Sequence, residues 1–142
     1  SARPQMGLSD AAWVFELWIG EGVTRFLGVF YGDLPEQGVN GEEAAIGPIR
    51  SGRLPYEPLR KLFHGFVMMA FASKWVTPEL DYYYNVINED LMTDINGAHV
   101  HVSDVRQLSR DYQKQLGEPR LQGLSFDGQP PPGGKPGHTA VH

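Results

Sequence analysis

Two apolar runs joined by a short glycine loop constrain the fold more than any other feature of this chain. The runs WVFELWI (13–19) and VTRFLGVFY (23–31) are rich in β-branched and aromatic residues, and Gly20-Glu21-Gly22 separates them. This pattern predicts a β-hairpin over about residues 13–31. Because nearly every residue in both runs is apolar, we expect both faces of the hairpin to be covered and its charged exceptions to have partners.

Helical spacing of apolar residues predicts two helices. The first covers about residues 56–63 (YEPLRKLF), where Leu59, Leu62 and Phe63 recur at helical intervals. The second covers about residues 103–116, with Ser103 as N-cap, and its apolar stripe is formed by Val105, Leu108, Tyr112 and Leu116 before Gly117. Both helices are expected to pack on the sheet.

Further strands are predicted between and after these helices. The apolar run 65–73 (GFVMMAFAS) indicates a buried central strand, and residues 100–102 and 121–126 favour two more. We therefore expect an α+β fold with a mixed or antiparallel sheet.

The chain of 142 residues fits a single domain, residues 1–142. Segments 33–45 and 127–137 have the Gly, Pro and acidic composition of exposed loops. Residues His138–His142 resemble the start of a strand, so we expect a truncated domain with an unpaired sheet edge. Another polypeptide segment or chain would complete the sheet near these residues.

Composition narrows the classes of function. The net charge of −5 and the scattered basic residues argue against nucleic acid as a partner, and no apolar run is long enough to span a membrane. The chain has no cysteine, which excludes disulfides, zinc-thiolate sites and thiol catalysis.

Two histidines at His99 and His101 share one strand face but lack a fixed third ligand, so we expect no metal site and no cofactor.

Three segments together resemble a known family. ARPQMGLSDA (2–11), GVTRFL (22–27) and IGPIRSGR (46–53) are similar, in order and spacing, to signatures of the YerB-like family of predicted bacterial lipoproteins, a family without established activity. The resemblance implies an extracytoplasmic domain, membrane-tethered or at the cell surface. It also implies that family segments before Ser1 and after His142 are missing, which fits a domain truncated at both ends.

The arginines of these segments are the best candidates for a ligand site. Arg3, Arg50 and Arg53, with Ser51 between the last two, could bind one anionic group, since a guanidinium grips carboxylate or phosphate in a bidentate fork. For Arg25 the favoured interpretation is instead a cross-strand structural ion pair with Glu16.

These candidates leave three functions open. The favoured one is recognition of an anionic envelope ligand or a partner, without catalysis. An alternative is an envelope glycan or phosphodiester hydrolase with Glu16 or Glu21 as general acid or base beside Arg50 and Arg53. A third is a structural subunit of a larger assembly.

Overall fold

The computed structural model shows an α+β architecture, as predicted, over the residues that it describes, which are 5–38, 41–87 and 97–117. Short 3₁₀ turns at Leu8–Asp10 and Thr77–Glu79 accompany the regular elements. In chain order the elements are β1 (Trp13–Gly20), β2 (Val23–Val29), β3 (Ala45–Ile46), α1 (Tyr56–Phe63), β4 (Val67–Met69), β5 (Tyr83–Asn85), β6 (Val100–His101) and α2 (Val102–Leu116).

The strands are distributed over three small sheets. β1 and β2 form the predicted antiparallel hairpin, β3 and β6 pair antiparallel, and β4 and β5 pair in parallel. Both parallel and antiparallel pairs are therefore present. The segments 121–126, 127–137 and 138–142 lie outside the described residues, so the expected strand, loop and partner pairing there stay predictions.

The hairpin turns at Glu21 and Gly22, where both φ angles are positive at 54° and 70°. Two positive φ angles match the right-handed twist of the flanking strands. The inner face packs on α1, where the Phe15 and Phe63 rings lie 6.0 Å apart. The outer face is open, because Trp18 is 70% exposed. The expectation that both faces are covered was wrong.

A bulge between Trp18 and Gly20 sets the register of the hairpin. Gly20 pairs with Val23, but beyond the bulge Glu16 pairs with Phe26 and Leu17 with Arg25. A shift of one residue moves a side chain to the other face of a strand. Glu16 and Arg25 consequently lie on opposite faces, and the predicted ion pair between them was wrong.

Helix α1 has the predicted bounds and supplies part of the core. Tyr56 packs in one buried cluster with Val67, Met69 and Leu80. Leu62, which was expected on the apolar face, is 53% exposed. Strand β4 is shorter than predicted, but its last residue Met69 is 1% exposed, so the predicted burial of this segment is confirmed. Its predicted place as a central strand was wrong, because β4 belongs to a sheet of only two strands.

Helix α2 begins one residue before the predicted N-cap, at Val102. Ser103 does not cap it with its side chain; instead the Ser103 amide donates to the Glu43 carboxylate at 3.2 Å. Gly117 ends the helix with a φ of 78°, as the sequence predicted. In the described part of the chain, no helix has both the length and the apolar character needed to cross a membrane.

The predicted exposed loop 33–45 ends earlier than expected, because Ala44 is buried and Ala45 begins β3. β3 pairs with β6, and the Val102 amide donates to the Ala44 carbonyl at 2.9 Å. The end of this segment is therefore attached to the start of α2.

Candidate functional site

Residues 50–53 lead into the turn at Leu54 and Pro55, and main-chain hydrogen bonds hold this first part of the turn to the end of β4. The Ala70 amide donates to the Arg50 carbonyl at 3.0 Å, and the Gly52 amide donates to the Phe71 carbonyl at 2.7 Å. The two segments therefore lie side by side. Because the backbone of this turn is fixed, its side chains start from a defined position.

Gly52 lets the turn lie directly on the core. A Cβ atom at this position would collide with the Met69 sulfur and stand 3.0 Å from the Leu80 Cδ1 atom. Both of these residues belong to the buried cluster around Tyr56. Glycine is required here by the close approach of the backbone.

Arg25 connects the hairpin to this turn. Its Nη1 atom donates to the Ser51 carbonyl at 3.0 Å, and its guanidinium also hydrogen-bonds the hydroxyl of the buried Tyr56. Burial raises the pKa of Tyr56, so this phenol stays neutral at physiological pH. Both partners of Arg25 are neutral, whereas the sequence had predicted an acidic one.

Arg53 lies close enough to Arg25 and Arg50 to be affected by their charges. Burial lowers the pKa of the Arg53 guanidinium, and the positive charges of Arg25 and Arg50 lower it further. The Arg53 Nη1 atom donates to the Gly52 carbonyl at 3.0 Å. We call Arg25, Arg50 and Arg53 the arginine cluster; within the described residues, no carboxylate forms an ion pair with Arg25 or Arg53.

The structure brings together only some of the predicted site residues. Arg50, Ser51 and Arg53 lie together in the short segment that leads into the turn, whereas Arg3 lies outside the described residues. Glu16 faces away from the cluster and accepts a hydrogen bond from the Thr24 hydroxyl at 2.6 Å. Glu21 is at the exposed hairpin tip, four residues before Arg25, which corresponds to roughly 13 Å of extended chain. Neither Glu16 nor Glu21, the two carboxylates proposed for a hydrolase, therefore lies beside the arginines.

A second arginine site was not anticipated from the sequence. Arg60 and Glu57 on α1 are only 8% and 7% exposed and form a bidentate ion pair with distances of 2.7 and 2.9 Å. Arg60 also donates to the Gly65 carbonyl and lies 5.3 Å from the centre of the Tyr82 ring. The Glu–x–x–Arg spacing on one helix face was the available signal.

The electrostatics of this pair differ from those of the arginine cluster. Burial raises the pKa of Glu57, but the hydrogen bonds from Arg60 and from the Asp81 amide outweigh burial and hold the pKa below its usual value. The hydrogen bond to Glu57 raises the pKa of Arg60. Each charge in this pair is therefore stabilised by the other.

The two histidines lie together at the start of α2. The His99 and His101 rings are 5.2 Å apart and nearly perpendicular, and His101 Nδ1 is 3.7 Å from the Glu43 carboxylate. In residues 5–38, 41–87 and 97–117, no group of three or more His, Asp or Glu side chains could hold a metal ion. The absence of metal stays a prediction that elemental analysis can test.

A large groove opens beside the arginine cluster. It has a volume of about 940 Å³ and lies between β2, α1 and α2. Arg25, Arg50 and Tyr56 line one part of it, and residues of α2 such as Arg106 and Arg110 line another. Arg25 and Arg50 are therefore accessible from a cavity of the size that small molecules occupy, roughly 300–1,000 Å³, whereas Arg53 is beside the groove and does not line it.

Comparisons with known proteins agree with this fold. The family described as "Protein of unknown function (DUF3048) N-terminal domain" matches residues 1–116. The crystal structure of the YerB protein from Bacillus subtilis is similar, with a TM-score of 0.57 and 22% sequence identity over 81% of this chain. The match covers 41% of that structure, so the chain spans less than half of its length. No curated protein matches the chain.

Proposed function

Because the chain belongs to the family of the DUF3048 N-terminal domain, whose function is unknown, we propose a function from its own site: the domain binds an anionic ligand through the arginine cluster. One observation carries the proposal. Arg25 and Arg53 are half-buried and close together, and within the described residues their hydrogen bonds go to neutral oxygens rather than to carboxylates.

The energetics of like charges support an anionic ligand. Half-buried guanidinium groups lose part of their hydration, and the neighbouring arginines oppose one another, as the lowered pKa of Arg53 indicates. A phosphate or carboxylate group in the cluster would relieve both effects through charge-assisted hydrogen bonds. The fixed backbone of the turn reduces the entropy lost on binding, because the arginines are attached to a rigid segment.

Recognition without catalysis is the function that this geometry favours. General acid or base catalysis needs a titratable side chain within hydrogen-bond reach of the ligand. Glu16 lies on the opposite hairpin face, and Glu21 lies at the tip. Tyr56 lines the groove, but its hydroxyl already bonds to Arg25 and burial raises its pKa.

Inorganic phosphate is the simplest probe of this proposal. Calorimetric titration at low ionic strength should give saturable binding, and Arg53→Ala should weaken it about tenfold or more, since a hydrogen bond to a charged group contributes about 1.5–3 kcal/mol. Lys114→Ala is the matched control, because it removes one positive charge from an exposed side chain that pairs with Asp111 and is not part of the arginine cluster. Equal affinity in Arg53→Ala and Lys114→Ala would contradict the proposal.

We propose the bacterial envelope as the setting of this binding. The support is the resemblance of residues 2–11, 22–27 and 46–53 to the YerB-like signatures, which implies an extracytoplasmic domain. Protease treatment of intact cells expressing the full-length gene product should degrade the domain, while a cytoplasmic marker survives. Protection of the domain together with the marker would place it inside the cell.

A further inference from the structure

The charge distribution of the groove is unusual for this chain. Five of the six arginines in the described residues line the groove, and none of the described acidic residues does, although the chain carries 17 acidic residues and a net charge of −5. The five are Arg25, Arg50, Arg60, Arg106 and Arg110. The groove is therefore a basic region within an acidic protein.

These arginines do not all have the same role. Arg60 is neutralised by the buried Glu57. Arg106 and Arg110 are exposed and four residues apart on α2, so they lie on one face of the helix. Arg110 donates to the neutral Gln107 side chain at 2.7 Å. The wall formed by α2 thus adds positive charge to that of the arginine cluster.

Much of the remaining wall is apolar. Leu27 and Phe30 line the groove from the hairpin side, Phe63 from α1, and Tyr112 and Leu116 from α2. A simple phosphate ion would leave most of a 940 Å³ groove and its apolar wall unoccupied. A ligand complementary to the whole groove has an anionic group and an apolar part.

We infer that the groove binds an amphiphilic anion, a single alkyl chain that ends in a phosphate group. This inference rests on the proposed function, because the phosphate would bind where Arg25 and Arg50 of the arginine cluster line the groove, while the chain lies along the apolar wall. Because the groove is basic, we expect an anionic ligand to bind more tightly than a neutral ligand with the same chain. Affinity should rise about fourfold for each methylene group that the groove buries.

Decyl phosphate is the test ligand, used below the concentration at which it forms micelles. The inference predicts that decyl phosphate binds at least about 100-fold more tightly than inorganic phosphate, which requires burial of only about four methylene groups. Decyl maltoside carries the same chain without charge and should bind at least tenfold more weakly than decyl phosphate. Shorter alkyl phosphates should give intermediate affinities.

A substitution on α2 tests the location of the chain. Ser109 is an exposed residue that lines the groove, so Ser109→Trp should fill the space and reduce the affinity for decyl phosphate at least tenfold, without changing the affinity for inorganic phosphate. Gln115→Trp is the matched control, because Gln115 is exposed on the same helix but does not line the groove. If Ser109→Trp does not fold, the chain-length series in the unmodified protein decides.

The outcomes separate this inference from the proposed function. Equal affinities for phosphate and decyl phosphate would overturn the inference that the ligand is an amphiphile, but would leave the proposed anion site in place. Equal affinities for decyl phosphate and decyl maltoside would overturn the requirement for charge. Binding to vesicles that contain phosphatidic acid, without binding to soluble decyl phosphate, would indicate a membrane surface and overturn the groove as the site. Failure to bind both phosphate and decyl phosphate would overturn both proposals.

Discussion

Two arginine sites in this domain show opposite ways of placing a guanidinium group in a protein. Arg60 is buried with Glu57, and its hydrogen bonds go to that carboxylate and to a main-chain carbonyl. In the arginine cluster, Arg25 and Arg53 are only half-buried and bond to neutral oxygens. The first site is internally neutral, and the second gathers positive charge.

The difference indicates what each site is for. A buried ion pair is satisfied within the fold and has no need of a ligand, but it is costly to break because one charge would remain unpaired. Half-buried like charges that bond to neutral oxygens leave binding capacity for an anion, although Arg25 also connects the hairpin to the turn. The comparison therefore predicts large stability effects at Glu57 and Arg60 and large binding effects at Arg53.

Substitution in the buried pair should have the largest effect on stability. Glu57→Gln leaves Arg60 charged in a buried position and should lower the free energy of unfolding by about 3 kcal/mol, the lower end of the range for broken buried pairs. Chemical denaturation measures this loss. Lys61→Ala is the control, because Lys61 is an exposed partner of the same carboxylate and should cost no more than about 0.5 kcal/mol. If Glu57→Gln and Lys61→Ala lowered the free energy of unfolding by similar amounts, the Glu57–Arg60 pair would not be the stabilising ion pair that this comparison requires.

Arg25 should show an intermediate effect, because it belongs to the cluster and also connects β2 to the turn and to Tyr56. Arg25→Met keeps the apolar stem but leaves the Ser51 carbonyl and the Tyr56 hydroxyl without this donor. We expect a loss of about 1–2 kcal/mol in unfolding free energy, together with weaker phosphate binding. If Arg25→Met lost phosphate binding but kept its stability, Arg25 would serve the ligand alone. If it lost stability but bound phosphate as before, Arg25 would serve the fold alone.

The sequence was sufficient to predict the parts of the fold that depend on local patterns. The hairpin consists of two continuous apolar runs around a glycine loop, and α1 and α2 are segments in which apolar residues recur with the period of a helix. Their bounds were therefore predicted within a few residues. The proximity of Arg50 and Arg53 likewise followed from their position in one short turn.

The pairing of charges could not be predicted in this way. One bulge residue beside Trp18 determines which face of the hairpin carries Arg25, and a bulge leaves little trace in the sequence. The buried pair on α1 was missed because charged residues on a short helix are usually exposed. Its burial depends on contacts with the distant segment at Asp81 and Tyr82.

The most direct test of the two-site account compares how phosphate stabilises the variants. A ligand that binds only the folded state raises the free energy of unfolding, by about 1.4 kcal/mol at ten times its Kd. The measurement is chemical denaturation of the unmodified protein, Arg53→Ala and Glu57→Gln, with phosphate and with chloride at equal ionic strength.

The account predicts that Arg53→Ala loses the stabilisation by phosphate but is within about 0.5 kcal/mol of the unmodified protein in chloride. Glu57→Gln should be strongly destabilised in chloride and keep the full stabilisation by phosphate. Two results would contradict the account: stabilisation by phosphate that persists in Arg53→Ala, or a loss of stability in Arg53→Ala as large as that in Glu57→Gln.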